Sequence, residues 1–246
     1  MNEQSDSPPP QGEARKVPFW GQTTVNAPPV VLWLVALLAA VYLMFLIAPQ
    51  PVAARLEFWL TLWPRRMFMG SSAPGGWPGG LAPLFTHMFV HTEFMHVFVN
   101  AGFLLALGSP VAQRIGVRIQ GVDQAAANAR FLGFFILAGL AGGVVFALVH
   151  PSGAVFARGA SGAISGLLGA VVRFALQPVS ARIADPWKLL PLTDRRVVAA
   201  SLVIVASNIA LSVIPMFGMT IAGEAHIGGY LFGLLAFPLF ALRQSR

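Results

Sequence analysis

The sequence predicts an all-α polytopic membrane protein, a bundle of six transmembrane helices with a long first outer loop. Two features of its composition indicate this class: 56% of its 246 residues are hydrophobic, and only 10% are charged. A soluble domain carries about a quarter charged residues, so this chain cannot cover itself with a polar surface. The third observation is a series of apolar segments, each near the length of about 20 residues that a spanning helix needs.

The chain divides into a polar tail and a membrane domain. Residues 1–28 contain Pro8-Pro9-Pro10 and many polar residues, a composition that predicts a disordered cytoplasmic tail. Residues 29–246 form the predicted membrane domain. Its six expected spans are Val30–Ala48, Phe94–Val111, Phe131–Val149, Ala160–Leu176, Val197–Ile214 and Ile221–Leu242.

The stretch between the first two spans, Pro49–Glu93, is too long for a simple turn. Its middle, Leu56–Trp63, mixes aromatic and polar side chains and is followed by Arg65 and Arg66. This pattern predicts a helix that lies in the membrane interface. Gly70–Gly80 is rich in Gly, Pro and Ser, which predicts a loop.

The basic residues indicate orientation. With six spans, twelve of the sixteen Lys and Arg residues share a side with both termini. Cytoplasmic loops carry such an excess, so we expect both termini in the cytoplasm and the protein in a bacterial inner (cell) membrane. The net charge of +7 does not predict nucleic-acid binding, because the basic residues form no stripe with interleaved aromatics. The expected surroundings are the lipid bilayer.

Three of the predicted spans carry polar groups near their outer ends. His96 and Asn100 lie in the second span, Ser161 in the fourth and His226 in the sixth. All four lie between a few ångströms and about 10 Å inside the outer boundary. Ionisable groups at such depth are costly and indicate function by default. The coincidence predicts one composite site with a serine nucleophile and a histidine base.

Small residues surround Ser161. Gly159 and Gly162 allow backbones to approach closely, and the free N–H groups and positive dipole end at a helix start favour an oxyanion. The alternative is that these glycines, with Ser165 and Gly169, only pack helices together. Ser165 also competes as nucleophile, but it lies about 6 Å deeper. Hydrolysis needs water, so Ser161 is preferred.

His226 is followed by Gly229 and Gly233. The four-residue spacing lets the sixth span pack backbone to backbone against the fourth, which would bring His226 towards Ser161. The alternative is a buried histidine bonded to a backbone carbonyl. Glu224 is two positions away and faces elsewhere on a helix. The predicted catalytic unit is therefore a Ser–His dyad, with no acidic residue as a third member.

His96 and Asn100 are four residues apart and share a helix face, so both can donate hydrogen bonds to an oxyanion. His87, His91 and His96 raise a metal site as an alternative. No carboxylate or thiolate completes such a set, and the chain has no cysteine and no HExxH motif, so we expect neither metal nor cofactor. For Asn208 in the fifth span, an interhelical hydrogen bond is the default expectation.

The chain resembles the rhomboid family of intramembrane serine proteases over roughly residues 30–242. The resemblance is carried by His96-Val97-Phe98-Val99-Asn100, by Gly159-Ala160-Ser161-Gly162, and by Ala225-His226-Ile227-Gly228-Gly229 with Gly233. It implies a rhomboid-like fold with Ser161 as nucleophile and His226 as base. It also implies an oxyanion hole made by His96, Asn100 and the backbone N–H of Ser161, and cleavage of transmembrane protein substrates near the outer face.

The chain departs from the family pattern in two places. Many members carry a Trp-Arg pair shortly before the histidine run, where this chain has Ala82-Pro83. Many members also have an aromatic residue four positions after the nucleophile, where this chain has Ser165. The orientation of His226 must then come from elsewhere, for example from Tyr230 or another ring.

Two other functions compete with the protease. A non-catalytic rhomboid-like protein would bind transmembrane helices without cleaving them, but the presence of both Ser161 and His226 favours the enzyme. A transporter or channel would show repeated halves with broken helices, and the sequence has no such repeat.

Overall fold

The computed structural model describes residues 27–185, 187–213 and 221–242. Apart from its last two residues, the predicted tail 1–28 lies outside this part of the chain, as do residues 243–246. The α-helices of the described residues are α1 Pro29–Ile47, α2 Gln50–Leu60, α3 Pro64–Phe68, α4 Gly76–Leu81, α5 Pro83–Thr86, α6 Phe94–Ile115, α7 Gln124–Val149, α8 Ser161–Ala175, α9 Val179–Ala184, α10 Arg195–Val213 and α11 Gly223–Phe240.

The six longest of these helices, α1, α6, α7, α8, α10 and α11, coincide with the six predicted segments. Among the described residues, four helices are long and apolar enough to cross a membrane: α1, α6, α7 and α10. Helix α8 is apolar but has only 15 residues, and α11 carries Glu224 and His226 in its first turn. The prediction of an all-α polytopic membrane bundle is confirmed, and the count of six spans stays a prediction.

Successive long helices alternate in direction. Near the end of α1, the ring of Tyr42 lies 6.4 Å from that of Phe94 at the start of α6. His150, directly after α7, lies 3.5 Å from Glu224 at the start of α11. Ser161 at the start of α8 contacts His226 near the start of α11, and Gly159, just before α8, lies against His96 near the start of α6. Helices α6, α8 and α11 therefore begin at the same end of the bundle, which we call the Ser161 end.

Helix α8 packs backbone to backbone against α11. A Cβ atom added to Gly229 would overlap the carbonyl oxygen of Gly162, and one added to Gly233 would overlap that of Gly166. A Cβ on Gly162 itself would meet only ordinary contacts, the nearest 3.5 Å away. The close approach therefore depends on Gly229 and Gly233 of α11, at the four-residue spacing noted in the sequence. It also depends on Gly169 of α8, where a Cβ would stand 2.2 Å from the carbonyl oxygen of Tyr230.

The segment after α1 is more helical than the sequence predicts. A helix, α2, covers Leu56–Leu60 of the predicted interface helix Leu56–Trp63, and its place in the membrane interface stays a prediction. The prediction of a loop over Gly70–Gly80 is wrong, because a 3₁₀ turn and most of α4 lie in this range. The physical reason is aromatic packing: the indole of Trp77 lies against Gly70, and that of Trp59 lies against Gly79. Glycine here provides room for rings.

Arg66 holds this first loop together. Its side chain is only 5% exposed and donates to the carbonyl of Phe58 at 2.6 Å and to those of Trp59 and Thr61 at 3.4 Å. These are carbonyls at the end of α2, where intrahelical partners run out. The guanidinium also lies 4.7 Å from the ring centroid of Phe58. Arg66 thus anchors a loop that has Ala82-Pro83 in place of the family's Trp-Arg pair.

Candidate active site

Ser161 and His226 meet at the N-terminal ends of two helices. Ser161 is the first residue of α8, and His226 lies in the first turn of α11. The Oγ atom of Ser161 lies 2.8 Å from Nε2 of His226. This is within the reach that an activated nucleophile and its base require. The structure thus brings together the two residues that the sequence pairs, and the partner of His226 is Ser161 rather than Ser165.

Gly159 shapes the turn that leads into Ser161. Its φ of +103° lies in the left-handed region, where residues other than glycine are strained. A Cβ at this position would also stand 2.5 Å from Nε2 of His96. Glycine is required on both grounds, and the result is that the His96 ring lies directly against the backbone beside the serine.

The start of α8 supplies backbone donors. The N–H groups of Ser161 and Gly162 are among the first of the helix, which have no intrahelical acceptor, and the helix dipole is positive there. The two preceding N–H groups are engaged: that of Gly159 donates to the carbonyl of His87 at 2.8 Å, and that of Ala160 donates to Nε2 of His91 at 3.3 Å. The free donors are thus concentrated at the serine.

Asn100 is tied to both neighbouring histidines. Its Nδ2 atom lies 2.9 Å from the carbonyl oxygen of His96 and 3.2 Å from Nε2 of His91. The Nδ1 atom of His91 lies 3.3 Å from the carbonyl of Phe89. A carbonyl only accepts, so Nδ1 carries the proton and Nε2 accepts. Burial lowers the pKa of His91 to about 4, which keeps the ring neutral at pH 7.

Both N–H groups of Asn100 are therefore engaged in this arrangement. The oxyanion role expected for Asn100 requires its amide to turn from one of these acceptors towards the reacting carbonyl. His96 is better placed, because its Nε2 already lies beside Gly159. The sequence suggested His91 as one of three possible metal ligands, whereas its contact with Ala160 makes it a structural part of the site.

The second ring nitrogen of His226 has a partner on a different helix. Its Nδ1 lies 2.8 Å from Oδ1 of Asn208 on α10. The ring suggested from the sequence, Tyr230, instead bonds Ser201 at 2.7 Å through its hydroxyl. The interhelical hydrogen bond expected for Asn208 is confirmed, but the sequence did not predict its partner, although a signal was present. Asn208 lies six residues from the outer end of the fifth predicted span, about 9 Å deep, level with the other polar groups.

Arg158 joins three segments beside the site. It forms ion pairs with Glu57 of α2 and with Glu93, the residue before α6. Glu93 also accepts from Thr92 at 2.8 Å and lies 3.7 Å from Nδ1 of His96. Burial raises the pKa of Glu93, but the Thr92 hydrogen bond and the Arg158 charge outweigh this and lower it below its ordinary value. The carboxylate thus stays ionised next to His96.

The alternative of a metal site finds no geometric support in the described residues, where no three His, Asp or Glu side chains are grouped to hold an ion. His87 illustrates why: its Nδ1 donates to the carbonyl of Pro83 at 2.8 Å and is buried. His91 has the backbone and amide partners described above. These rings are used in hydrogen bonds within the protein.

The fold and the site define an integral membrane protein, an all-α bundle with a serine and a histidine in contact at one end. The chain belongs to the rhomboid family, since the family model for the Rhomboid domain matches residues 78–243. The match contains every candidate site residue.

Two curated plant relatives agree with this assignment. The chain is 25% identical over 162 residues to RHOMBOID-like protein 5 of Arabidopsis thaliana, an alignment that covers 66% of this chain and 45% of that protein. It is 26% identical over 163 residues to RHOMBOID-like protein 1 of the same plant, covering 66% of this chain and 35% of that protein. The chain thus spans less than half the length of either relative.

Proposed function

We propose that this protein is an intramembrane serine endopeptidase that cleaves transmembrane protein substrates near the outer membrane face. The observation that carries the proposal is the 2.8 Å contact between Oγ of Ser161 and Nε2 of His226. A serine hydroxyl is a weak nucleophile until a neighbouring base accepts its proton, and this contact supplies the base. The proposed setting is a bacterial inner membrane, with both termini in the cytoplasm.

In the proposed reaction, Oγ of Ser161 bonds to the carbonyl carbon of the scissile peptide while Nε2 of His226 takes its proton. The carbonyl π electrons move to the oxygen. That oxyanion accepts hydrogen bonds from the N–H of Ser161 and from His96, and from Asn100 once its amide turns. Donors placed for this developing charge stabilise the transition state.

The second half of the reaction releases the two products. The C–N bond breaks as His226 passes its proton to the leaving nitrogen. Water then attacks the acyl carbon on Ser161 and gives a proton to His226. The bond between Oγ of Ser161 and that carbon breaks as His226 returns the proton to Oγ, which releases the second product as a carboxylic acid and restores both residues. The backbone beside the serine is closely covered, by the His96 ring at Gly159 and by the carbonyl oxygen of Ala225 at Gly162. This close packing favours a small substrate residue before the scissile bond.

The proposal is tested by labelling the detergent-solubilised protein with a fluorophosphonate probe, alongside cleavage of a model transmembrane substrate. We expect labelling and cleavage by the wild type, loss of both in Ser161→Ala, and retention in the matched control Ser165→Ala. We expect His226→Ala to lose cleavage as well. The double variant should be no worse than either single variant, because the two residues act as one unit.

Two results would contradict this function. Cleavage that persists in Ser161→Ala would move the nucleophile elsewhere. A wild type that binds transmembrane peptides but neither labels nor cleaves would instead indicate the non-catalytic, helix-binding alternative.

A further inference from the structure

We infer that Asn208 is a positioning residue for His226, so that the working unit is a relay from Ser161 through His226 to Asn208. This inference rests on the proposed function and deepens it. It concerns α10, a helix that otherwise contributes little to the interior: only Val197 among its residues is fully buried.

The orientation of the Asn208 amide follows from its second contact. Its Nδ2 atom lies 2.9 Å from the carbonyl oxygen of Ile204. A carbonyl oxygen only accepts hydrogen bonds, so the NH₂ group must face Ile204 and the amide oxygen must face His226. A flipped amide would lose the hydrogen bond to Ile204 and would set two carbonyl oxygens against each other.

The tautomer of His226 then follows. Because Oδ1 of Asn208 is an acceptor, the Nδ1 atom of His226 at 2.8 Å must carry a proton. In the neutral ring the lone pair is therefore on Nε2, the atom that faces Oγ of Ser161. This is the tautomer that a general base requires at this position. Asn208 selects it from the opposite side of the ring.

An amide suits this depth better than a carboxylate. A charged group inside a bilayer is costly, whereas an amide offers the same acceptor oxygen without a second charge. Cys–His–Asn proteases orient their histidine with the same side chain. The His226 ring thus needs no acid to orient it, because the amide of Asn208 supplies the acceptor.

The backbone holds Asn208 at this level. Its carbonyl oxygen lies so close to Gly223, the first residue of α11, that a Cβ on Gly223 would overlap it. One turn further along α11 is His226. The α10–α11 contact is therefore tight where the amide meets the ring, and the orientation of the base depends on α10 staying docked.

The experiment compares three variants of the full chain in detergent, labelled with ¹⁵N-histidine. Asn208→Leu keeps the shape and removes the acceptor, and Asn208→Asp keeps the acceptor. Ser201→Ala is the matched control, because it removes the other side-chain hydrogen bond between α10 and α11, that to Tyr230. The measurements are the His226 tautomer by ¹⁵N NMR, assigned with His226→Gln, and kcat and KM for a model transmembrane substrate.

We expect the Nδ1–H tautomer in the wild type, in Asn208→Asp and in Ser201→Ala, and a mixture of tautomers in Asn208→Leu. In Asn208→Leu, kcat should fall at least tenfold with KM little changed, up to the roughly 10⁴-fold that a wrong tautomer costs in a serine protease triad. We expect Asn208→Asp to retain most of its kcat and Ser201→Ala to match the wild type.

An unchanged tautomer in Asn208→Leu would overturn the inference. So would equal losses of kcat in Asn208→Leu and Ser201→Ala, because Asn208 would then only fasten two helices together. If the wild type neither labels nor cleaves, the proposed function fails, while the tautomer spectra still decide whether Asn208 positions His226.

Discussion

The Nε2 atom of His91 accepts a hydrogen bond from the backbone N–H of Ala160, 3.3 Å away. The same nitrogen faces the amide of Asn100 at 3.2 Å. A fully buried histidine ahead of α6 thus joins the turn before the nucleophile to the helix face that carries the proposed oxyanion donors. The His91 ring therefore fixes the position of Ala160 relative to Asn100, although the two residues are 60 positions apart in the sequence.

Replacing this ring by one without an acceptor should therefore weaken both the fold and the reaction. In His91→Phe the buried N–H of Ala160 loses its partner, which typically costs about 1–3 kcal/mol. We expect a lower unfolding temperature in detergent and reduced turnover at a temperature where the variant is still folded. His150→Gln is a suitable control, because the partly exposed His150 ring contacts Glu224 and the ring of Phe146 rather than Ala160 or Asn100, and we expect little change from it. An unchanged unfolding temperature in His91→Phe would show that the contact is not structural.

Acid should destabilise the protein before its carboxylates titrate. Burial lowers the pKa of His87 and that of His91 from 6.5 to about 4. Between these values the unfolded chain binds more protons than the folded one, so stability is lost as pH falls from about 6.5 towards 4. Thermal unfolding measured across this window should show the loss, and the variant His87→Gln/His91→Gln should show a flatter curve.

Glu93 contributes to stability in a separate range of pH. Its pKa is lowered in the folded state, because the Thr92 hydrogen bond and the Arg158 charge outweigh the effect of burial. Its contribution is therefore present above pH 4.5 and is lost as pH falls below that value. If the unfolding temperature of the wild type did not change between pH 6.5 and 4, this would contradict the loss of stability expected from His87 and His91. A change below pH 4 would not alter that conclusion.

The sequence predicted the helices and the pairing of Ser161 with His226 because hydropathy and charge fix the depth of a residue along a helix. Apart from this pair, it did not predict which residue faces which across helices. The bond of Asn208 to His226 depends on the close approach of α10 to Gly223, and the bond of His91 to Ala160 depends on a loop folding back onto α8. The loop predicted from composition at Gly70–Gly80 was also wrong, because glycine is found both in loops and where an indole ring packs against the backbone.

The oxyanion donors should affect turnover more than nucleophile reactivity. Losing one donor typically costs about 10²–10³ in rate, so His96→Ala and Asn100→Ala should each cleave slowly while Ser161 still labels in part. Phe98→Leu, on the exposed face of the same helix, is the control and should cleave normally. If both alanine variants cleaved at the wild-type rate, His96 and Asn100 would not be oxyanion donors.

The close packing of α8 against α11 should tolerate no added atom at Gly229. In Gly229→Ala the new Cβ would overlap the carbonyl oxygen of Gly162, so the helices must separate and carry His226 away from Ser161. We expect a lower unfolding temperature and a large loss of cleavage. Gly133→Ala in α7 is the matched control, because a Cβ there meets nothing within 4 Å. Helix propensity favours alanine by up to about 1 kcal/mol, so this variant should be at least as stable as the wild type.

The substrate should be a transmembrane helix that unwinds easily near its outer end. An intact helix holds each carbonyl in an i to i−4 hydrogen bond, so Ser161 cannot attack one until the backbone opens. Glycine lowers the cost of opening, because it is a poor helix former. The test is a panel of model substrates that carry Ala-Gly-Ser in the outer third of the span, in the inner third, or nowhere in an all-Leu span. We expect cleavage of the first set alone, next to a small residue. Equal cleavage of all three would contradict the need for unwinding, whereas cleavage confined to the inner third would reverse the orientation derived from the basic residues.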